Sequence, residues 1–245
     1  MSAVAIVPAR YASTRFLGKP LALIAGVPML RRVVEGARQA KRVREVIVAT
    51  DDERIAEACR EFGAPVAMTS PDHRTGTDRL AEASRGLLDA IVVNVQGDEP
   101  LIEGFVVDAA VAALEESPEA PMSTLVHRAE PDALADPNRV KVVLDRRGFA
   151  LYFSRAAVPY RRVAVGDAPL WQHVGLYAYR REFLQRFVAL GEAPLERTEA
   201  LEQLRALEHG HKIRAAIVEG WRSVPVDVPE DIARVESLLA GRPAR

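Results

Sequence analysis

Val4-Ala-Ile-Val-Pro-Ala-Arg-Tyr-Ala-Ser-Thr-Arg-Phe-Leu-Gly-Lys-Pro-Leu21 is the stretch on which the reading of this chain turns. The apolar run Val4–Val7 predicts a short buried strand. Pro8 has no N–H to give a sheet ladder and predicts the strand's end. The loop that follows carries Arg10, Arg15 and Lys19 together with Ser13, Thr14 and Gly18. Cations and hydroxyls launched from the end of a first strand suit a polyanion such as a triphosphate. The position suits it too, because open α/β sheets bind ligands beyond the carboxyl ends of their strands. A solvated basic loop is the competing reading of this segment alone.

Outward from this loop, strand and helix alternate. Met29–Ala40 predicts a helix with Leu30, Val33, Val34 and Ala37 on one face. Strands are predicted at Val43–Thr50, Pro65–Met68 and Ala90–Val95, and helices at Glu53–Phe62, closed by Gly63, Asp78–Leu88 and Gly104–Glu116. This βαβα order argues for a mostly parallel sheet covered by helices. The second half reads differently. Met122–His127, Val140–Leu144, Ala150–Ser154, Gly175–Tyr179 and Ile213–Val218 are strand-like, with a hairpin turn at Asp145-Arg146-Arg147-Gly148. Helices are predicted at Pro194–Glu208 and Pro229–Leu239, the latter with Glu230 and Asp231 in its first turn. One domain over residues 1–245, with an excursion around 125–175 suited to packing on a second copy, is the simplest account.

Bulk composition narrows the function. The chain has 245 residues, 49% hydrophobic and 27% charged, which is ordinary for a globular protein. A formal net charge of −1 argues against holding long nucleic acid by bulk electrostatics. No apolar run approaches membrane-spanning length, and the first residues lack the layout of a secretory leader. Cys59 is the only cysteine, so an internal disulfide and a cysteine-held zinc are both excluded; its helical neighbours predict a packed or half-buried thiol. The expected compartment is the cytoplasm.

Ile91-Val-Val-Asn-Val-Gln-Gly-Asp-Glu-Pro100 is the second informative stretch. It predicts that a buried strand delivers Gln96, Asp98 and Glu99 to the sheet edge that carries the basic loop. A carboxylate beside a triphosphate suits Mg²⁺, which takes oxygen ligands from one or two carboxylates and from phosphates. Asp98 as a cap of the next helix is the local alternative. Asp227, in Val224-Pro-Val-Asp-Val-Pro-Glu-Asp231, reads locally as a residue that starts a helix. Asp72–Arg79 opens a helix whose hydroxyls and N–H groups suit an anion or a base edge, with Asp78 as N-cap a compatible reading. Asp51 and Asp52 read as helix-start or surface acids. Arg155, Tyr160 and His173 are each unremarkable alone, and Glu202 and Gln203 lie on a charged helical face.

Taken in order, these segments resemble the 3-deoxy-manno-octulosonate cytidylyltransferases, the CMP-Kdo synthetases. The resemblance runs from Ile6 to about Val235. It rests on Pro-Ala-Arg at 8–10, Ser-Thr-Arg at 13–15, Gly-Lys-Pro-Leu at 18–21, Ala-Thr-Asp-Asp at 49–52, Thr-Gly-Thr-Asp-Arg at 75–79 and Asn-Val-Gln-Gly-Asp-Glu-Pro at 94–100. It continues through Tyr-Phe-Ser-Arg at 152–155, His-Val-Gly-Leu-Tyr at 173–177, Leu-Glu-Gln-Leu-Arg at 201–205 and Val-Asp-Val-Pro-Glu-Asp at 226–231. The likeness implies an α/β nucleotide-sugar-transferase fold: a single GT-A or Rossmann-like three-layer domain with a mostly parallel mixed sheet and a smaller dimerisation excursion. It implies a homodimer that couples CTP to the 2-keto sugar acid Kdo, releases pyrophosphate and requires Mg²⁺. On matching positions, Arg10, Ser13, Arg15 and Lys19 would bind the triphosphate of CTP, Thr75, Gly76 and Thr77 would frame its cytidine with Arg79 nearby, and Pro8 and Ala9 would also contact CTP. Asp98 and Asp227 would hold the metal, and Lys19, Asp98, Asp227 and Arg10 would carry the chemistry. Gln96, Arg155, His173, Tyr177, Glu202 and Gln203 would line the sugar pocket.

Two positions depart from the pattern: Phe16-Leu17 lacks the usual proline after the aromatic or leucine, and Gln172 replaces a basic residue before the histidine. Neither removes a group that the chemistry needs. The alternatives are a cytidylyltransferase for another 2-keto sugar acid (a sialic acid or an amino-modified Kdo), a GT-A glycosyltransferase, and a non-enzymatic CTP-binding regulator.

Overall fold

The computed structural model describes residues 2–12, 15–160, 162 and 169–241. It divides into two compact units, one of residues 1–108 and 223–245, the other of residues 109–222.

The first unit runs β1 (Ala3–Ala9), β2 (Leu23–Ile24), β3 (Val27–Pro28), α1 (Met29–Ala37), β4 (Val46–Thr50), α2 (Glu53–Glu61), β5 (Val66–Met68), α3 (Gly76–Ser84) and β6 (Ile91–Asn94). The boundary between the units falls inside α4 (Gly104–Glu115). Here β6, β1, β4 and β5 pair in that order, all parallel, while β2 and β3 form a small antiparallel ribbon. Residues 3–7 of β1 are all buried, as expected of a parallel strand with a neighbour on each side.

Strand β1 outruns its expected end. Its ladder with β4 continues through Pro8, opposite Ala49, to Ala9, opposite Thr50, whereas its ladder with β6 ends at Ile6, opposite Asn94. Ala5 N–H donates to Glu45 on the β4 side, and Ile6 C=O accepts from Val95 on the β6 side. By that alternation Pro8 turns toward β6 where no ladder remains, so its missing N–H costs nothing.

The helices follow their local signals with shifted ends. In α1, Leu30, Val33, Val34 and Ala37 are buried, but the helix stops at Ala37 instead of Ala40. Its Gly36 allows a close approach, because a Cβ there would lie 2.2 Å from the Ile102 carbonyl oxygen. Asp52 caps α2 by accepting the Arg54 N–H at 3.0 Å. Cys59 on that helix is fully buried, and burial pushes its thiol up to about 11. The N-cap of α3 is Thr75, not Asp78; Asp78 instead completes a capping box, its carboxylate accepting from Thr75 N–H at 3.0 Å and its N–H donating to Thr75 Oγ1 at 3.1 Å.

The second unit holds β7 (Met122–Arg128), β8 (Lys141–Leu144), β9 (Ala150–Ser154), β10 (Trp171–Arg180), α5 (Arg181–Phe187), α6 (Pro194–Glu199), α7 (Gln203–Glu208) and β11 (Ile213–Ile217). β10 is antiparallel to β7 and β8, β8 to β9, and β11 is parallel to β7. Asp145 shapes the β8–β9 turn by accepting the N–H groups of Arg147 and Phe149, each at 2.8 Å. β10 starts at Trp171, well before the expected Gly175, so His173 lies inside a strand. The helix expected over Pro194–Glu208 is broken in two, because Ala200 adopts φ 50° in the left-handed region. The chain then returns to the first unit and closes with α8 (Asp231–Ala240). Among the described residues, no helix is long and apolar enough to cross a membrane.

Candidate active site

In the first unit, parallel pairing brings the ends of β1, β4 and β6 to one edge. The loop after β6 places Asp98 there, and the segment before α8 brings Asp227. Both meet Lys19, whose Nζ lies 2.9 Å from Asp98 Oδ2 and 3.6 Å from Asp227 Oδ1. The same ammonium donates to the Val226 carbonyl at 2.9 Å. Arg15 adds a second cation, its Nη2 3.0 Å from Asp227 Oδ1. Asp231, in the first turn of α8, accepts the N–H groups of Asp227 at 2.8 Å and Val228 at 3.0 Å. These bonds, the one from Asp227 first, hold its carboxyl below the usual range.

Lys19 starts a single 3-10 turn, and the residue before it, Gly18, has φ 70°. A Cβ on Gly18 would sit 3.2 Å from the Tyr11 ring, and Tyr11 itself lies under the Arg54 guanidinium at 3.4 Å. The basic loop is thus fastened to the start of α2 by an aromatic ring. Ser13, another residue expected to bind CTP, lies outside the described residues.

Arg10 reaches from the end of β1 to donate to the Arg74 carbonyl at 3.1 Å, while its Nη2 is buried with no hydrogen-bond partner. Burial first, and then the nearby Arg79, lower this guanidinium from its ordinary value. Gly76 lies against the Pro8 ring, where a Cβ would be 3.4 Å from Pro8 Cγ. Pro8, Ala9, Arg10, Thr75, Gly76 and buried Thr77 are therefore neighbours. Arg79 is fully buried, paired with Asp51 at 3.2 Å and bonded to Thr69 Oγ1. Asp51, read from sequence as a helix-start or surface acid, is the counter-charge of that arginine. Gln96 is half-buried in the turn leading to Asp98, its carbonyl accepting from Glu99 N–H at 3.3 Å. Burial pushes the Glu99 carboxyl up to about 7, against the lowering effect of its bond from Ser223.

The second unit assembles the other expected residues. A bulge between Val174 and Tyr177 turns β10, and Thr124 Oγ1 fills it, 3.1 Å from the Val174 carbonyl, 2.9 Å from that of Leu176 and 2.9 Å from His173 Nε2. A hydroxyl has one proton, and when a carbonyl takes it, the contact with His173 is a donation from Nε2–H. The half-buried imidazole packs against Phe153 and Tyr177, at ring distances of 5.1 and 5.4 Å, and its desolvation lowers its pKa to about 3. Tyr177 is pushed well above its ordinary value, by burial first and then by Glu202. Gln203 is buried, and its Nε2 has no partner. The Arg155 guanidinium is engaged by backbone carbonyls, those of Glu199 at 2.6 Å, Pro137 at 3.0 Å and Ala200 at 3.3 Å. It braces the left-handed turn at Ala200 that leads to Glu202 and Gln203. Thr124 was not singled out from the sequence and Phe153 only as part of Tyr-Phe-Ser-Arg; an ordinary strand threonine carries no local signal, and the register of β7, β9 and β10 reveals the place of both.

Two carboxylates that already share a cation form a donor set of the hard oxygen type that Mg²⁺ prefers. No group of three or more metal-ligating side chains exists among the described residues, so further ligands would have to come from substrate oxygens or water.

A solved structure of CMP:2-keto-3-deoxy-manno-octonic acid synthetase complexed with CTP matches this one with a TM-score of 0.93 and 43% identity, over 98% of this chain and 99% of that chain. That match defines the class, an α/β nucleotidyltransferase with a mostly parallel central sheet. The family model described as Cytidylyltransferase covers residues 4–213. The 3-deoxy-manno-octulosonate cytidylyltransferase of Syntrophotalea carbinolica is 54% identical over 98% of this chain and 100% of that protein. The protein of the same description from Geobacter sulfurreducens is 51% identical, with 98% and 100% covered. The chain belongs to the cytidylyltransferase family and, within it, to the 3-deoxy-manno-octulosonate cytidylyltransferases.

Proposed function

We propose that this enzyme couples CTP to 3-deoxy-D-manno-octulosonate, giving CMP-Kdo and pyrophosphate, with Mg²⁺ as its cation and lipopolysaccharide-type glycans as the destination. The observation that carries this reading is the convergence of Asp98, Asp227 and Arg15 around Lys19 at the sheet edge. The anomeric hydroxyl of the sugar would attack the α-phosphorus of CTP in line, with pyrophosphate leaving from the opposite side. Asp98 and Asp227 would hold the Mg²⁺, which supplies Lewis-acid polarisation of phosphoryl oxygens.

The chain's own groups do the rest. Lys19, Arg10 and Arg15 neutralise the charge that builds on the departing pyrophosphate. The buried, unpartnered Nη2 of Arg10 supports that role, since a buried cationic donor needs an acceptor. Thr75, Gly76 and Thr77 frame the cytidine beside Pro8 and Ala9. Within the second unit, neutral His173 joins Tyr177, Arg155, Glu202 and Gln203 on the sugar; the buried free amide of Gln203 supports a polar ligand. The same reading makes the protein a cytoplasmic homodimer.

Pyrophosphate release decides the matter. Purified protein is mixed with Mg²⁺ and CTP, UTP or ATP, each against Kdo, a sialic acid and an amino-modified Kdo. Release with CTP and Kdo above every other pair is the expected result. Release with a different sugar acid would reassign the substrate, and CTP binding without release would remove the activity.

A further inference from the structure

Glu99 takes no part in the chemistry above, yet it is a carboxylate buried beside it, 8% exposed. It accepts the hydroxyl of Ser223 and the N–H of Val224, the latter at 3.1 Å. These residues begin the segment that returns to the first unit and ends at Asp227. Two further bonds continue the seam: Val226 N–H donates to the Asp98 carbonyl at 2.9 Å, and the Val226 carbonyl accepts from Lys19 at 2.9 Å.

Apolar packing holds the same segment, because Val224 and Val226 are buried in a cluster with Ile24, Met29, Leu101 and Val235. That packing is non-directional and sets depth, not position along the chain. Val224 and Val226 are alike, so a two-residue slide would keep much of the burial. The four bonds of the seam are directional and oppose it, and the two to Glu99 hold the segment where it enters the first unit. We propose that Glu99 is a positioning residue that, by gripping Ser223 and Val224, sets the register of the returning segment so that Asp227 meets Asp98 and Lys19. The proposal rests on the reading of Asp98 and Asp227 as metal ligands.

The test uses Glu99→Ala, Glu99→Gln and Ser223→Ala in the full chain, each first checked for a cooperative thermal transition. Free Mn²⁺ is then titrated by electron paramagnetic resonance with saturating CTP and no sugar, so the readout does not depend on turnover. Glu99→Ala is expected to bind Mn²⁺ about tenfold or more weakly, as supporting groups around a metal typically do when removed. CTP binding without metal should stay within about twofold of the parent, because the basic loop is untouched. Glu99→Gln keeps an acceptor and should recover most of the affinity. Ser223→Ala should lose part of it, and serves as the test if Glu99→Ala fails to fold. Folded Glu99→Ala or Ser223→Ala with parental Mn²⁺ affinity overturns the proposal, as does equal weakening of metal-free CTP binding. Failure of the broader reading shows separately: the parent protein itself would then show no CTP-dependent Mn²⁺ site or release no pyrophosphate.

Discussion

Lys19 Nζ lies 2.9 Å from Asp98 Oδ2, a contact that closes 79 positions of sequence. The lysine comes from the loop after the first strand and the aspartate from the loop after the fourth strand of the parallel sheet. Parallel pairing of β1 with β6 is what puts those two loops side by side. Removing the charge on either side should therefore act on chemistry more than on folding. Asp98→Asn is expected to lower turnover by several orders of magnitude, and Lys19→Met by about 10²–10³-fold, the usual effect of losing one transition-state donor. Steady-state pyrophosphate release and a thermal melt check both; near-parental turnover in Asp98→Asn would contradict its assignment.

Gly18→Ala tests the loop that presents Lys19. The position has φ 70°, and the new methyl would meet the Tyr11 ring at 3.2 Å. The left-handed backbone alone costs an alanine about 1–2 kcal/mol. The expected outcome is a lower melting temperature together with a raised KM for CTP. An unchanged KM would show that the loop adjusts without moving the lysine.

His173 sets a pH dependence of stability. Burial lowers its pKa from 6.5 to about 3. Between those values the unfolded chain binds a proton that the folded chain refuses. Stability is therefore complete above the unfolded value and falls as the pH drops below it. The slope approaches about 1.4 kcal/mol per pH unit, so going from pH 6.5 to 5 removes about 1.5 kcal/mol. His173→Gln keeps a polar partner for Thr124 but does not titrate, so its urea-unfolding stability should decline less by that amount. Parallel declines would contradict the neutral imidazole.

Arg205 and Glu196 join α7 to α6 through a buried two-point ion pair, with Nε donating to Oε2 at 2.8 Å and Nη2 to Oε1. Arg205→Leu strands a buried carboxylate and should destabilise the protein by about 3–5 kcal/mol. Converting Glu196 to Leu as well should restore much of the loss. A double-mutant cycle in denaturant measures this, and additive losses would mean that the pair is not coupled.

Much of this was legible in the residues themselves. Val4–Val7 and Ile91–Val93 are continuous apolar runs because strands of a helix-covered parallel sheet are buried on both faces, and the helices between them show their buried faces by spacing. Their ends were less legible. Pro8 reads as a strand stop, yet it is tolerated because its neighbour's ladder has already finished on that side. Pro194–Glu208 reads as one helix, yet the Arg155 guanidinium holds the carbonyls of Glu199 and Ala200 in a turn that no local propensity announces.

The chain's order of residues determined by itself the alternation of elements, the basic loop and the family likeness, since these depend on local pattern and motif. Only the tertiary structure decided that Asp227, locally a residue at a helix start, meets Lys19, that Asp51 is the counter-charge of buried Arg79, and that Glu99 grips Ser223 and Val224. The reason is physical: a charge finds its partner through packing that brings distant segments together, and nothing in the neighbouring residues records which distant charge that will be.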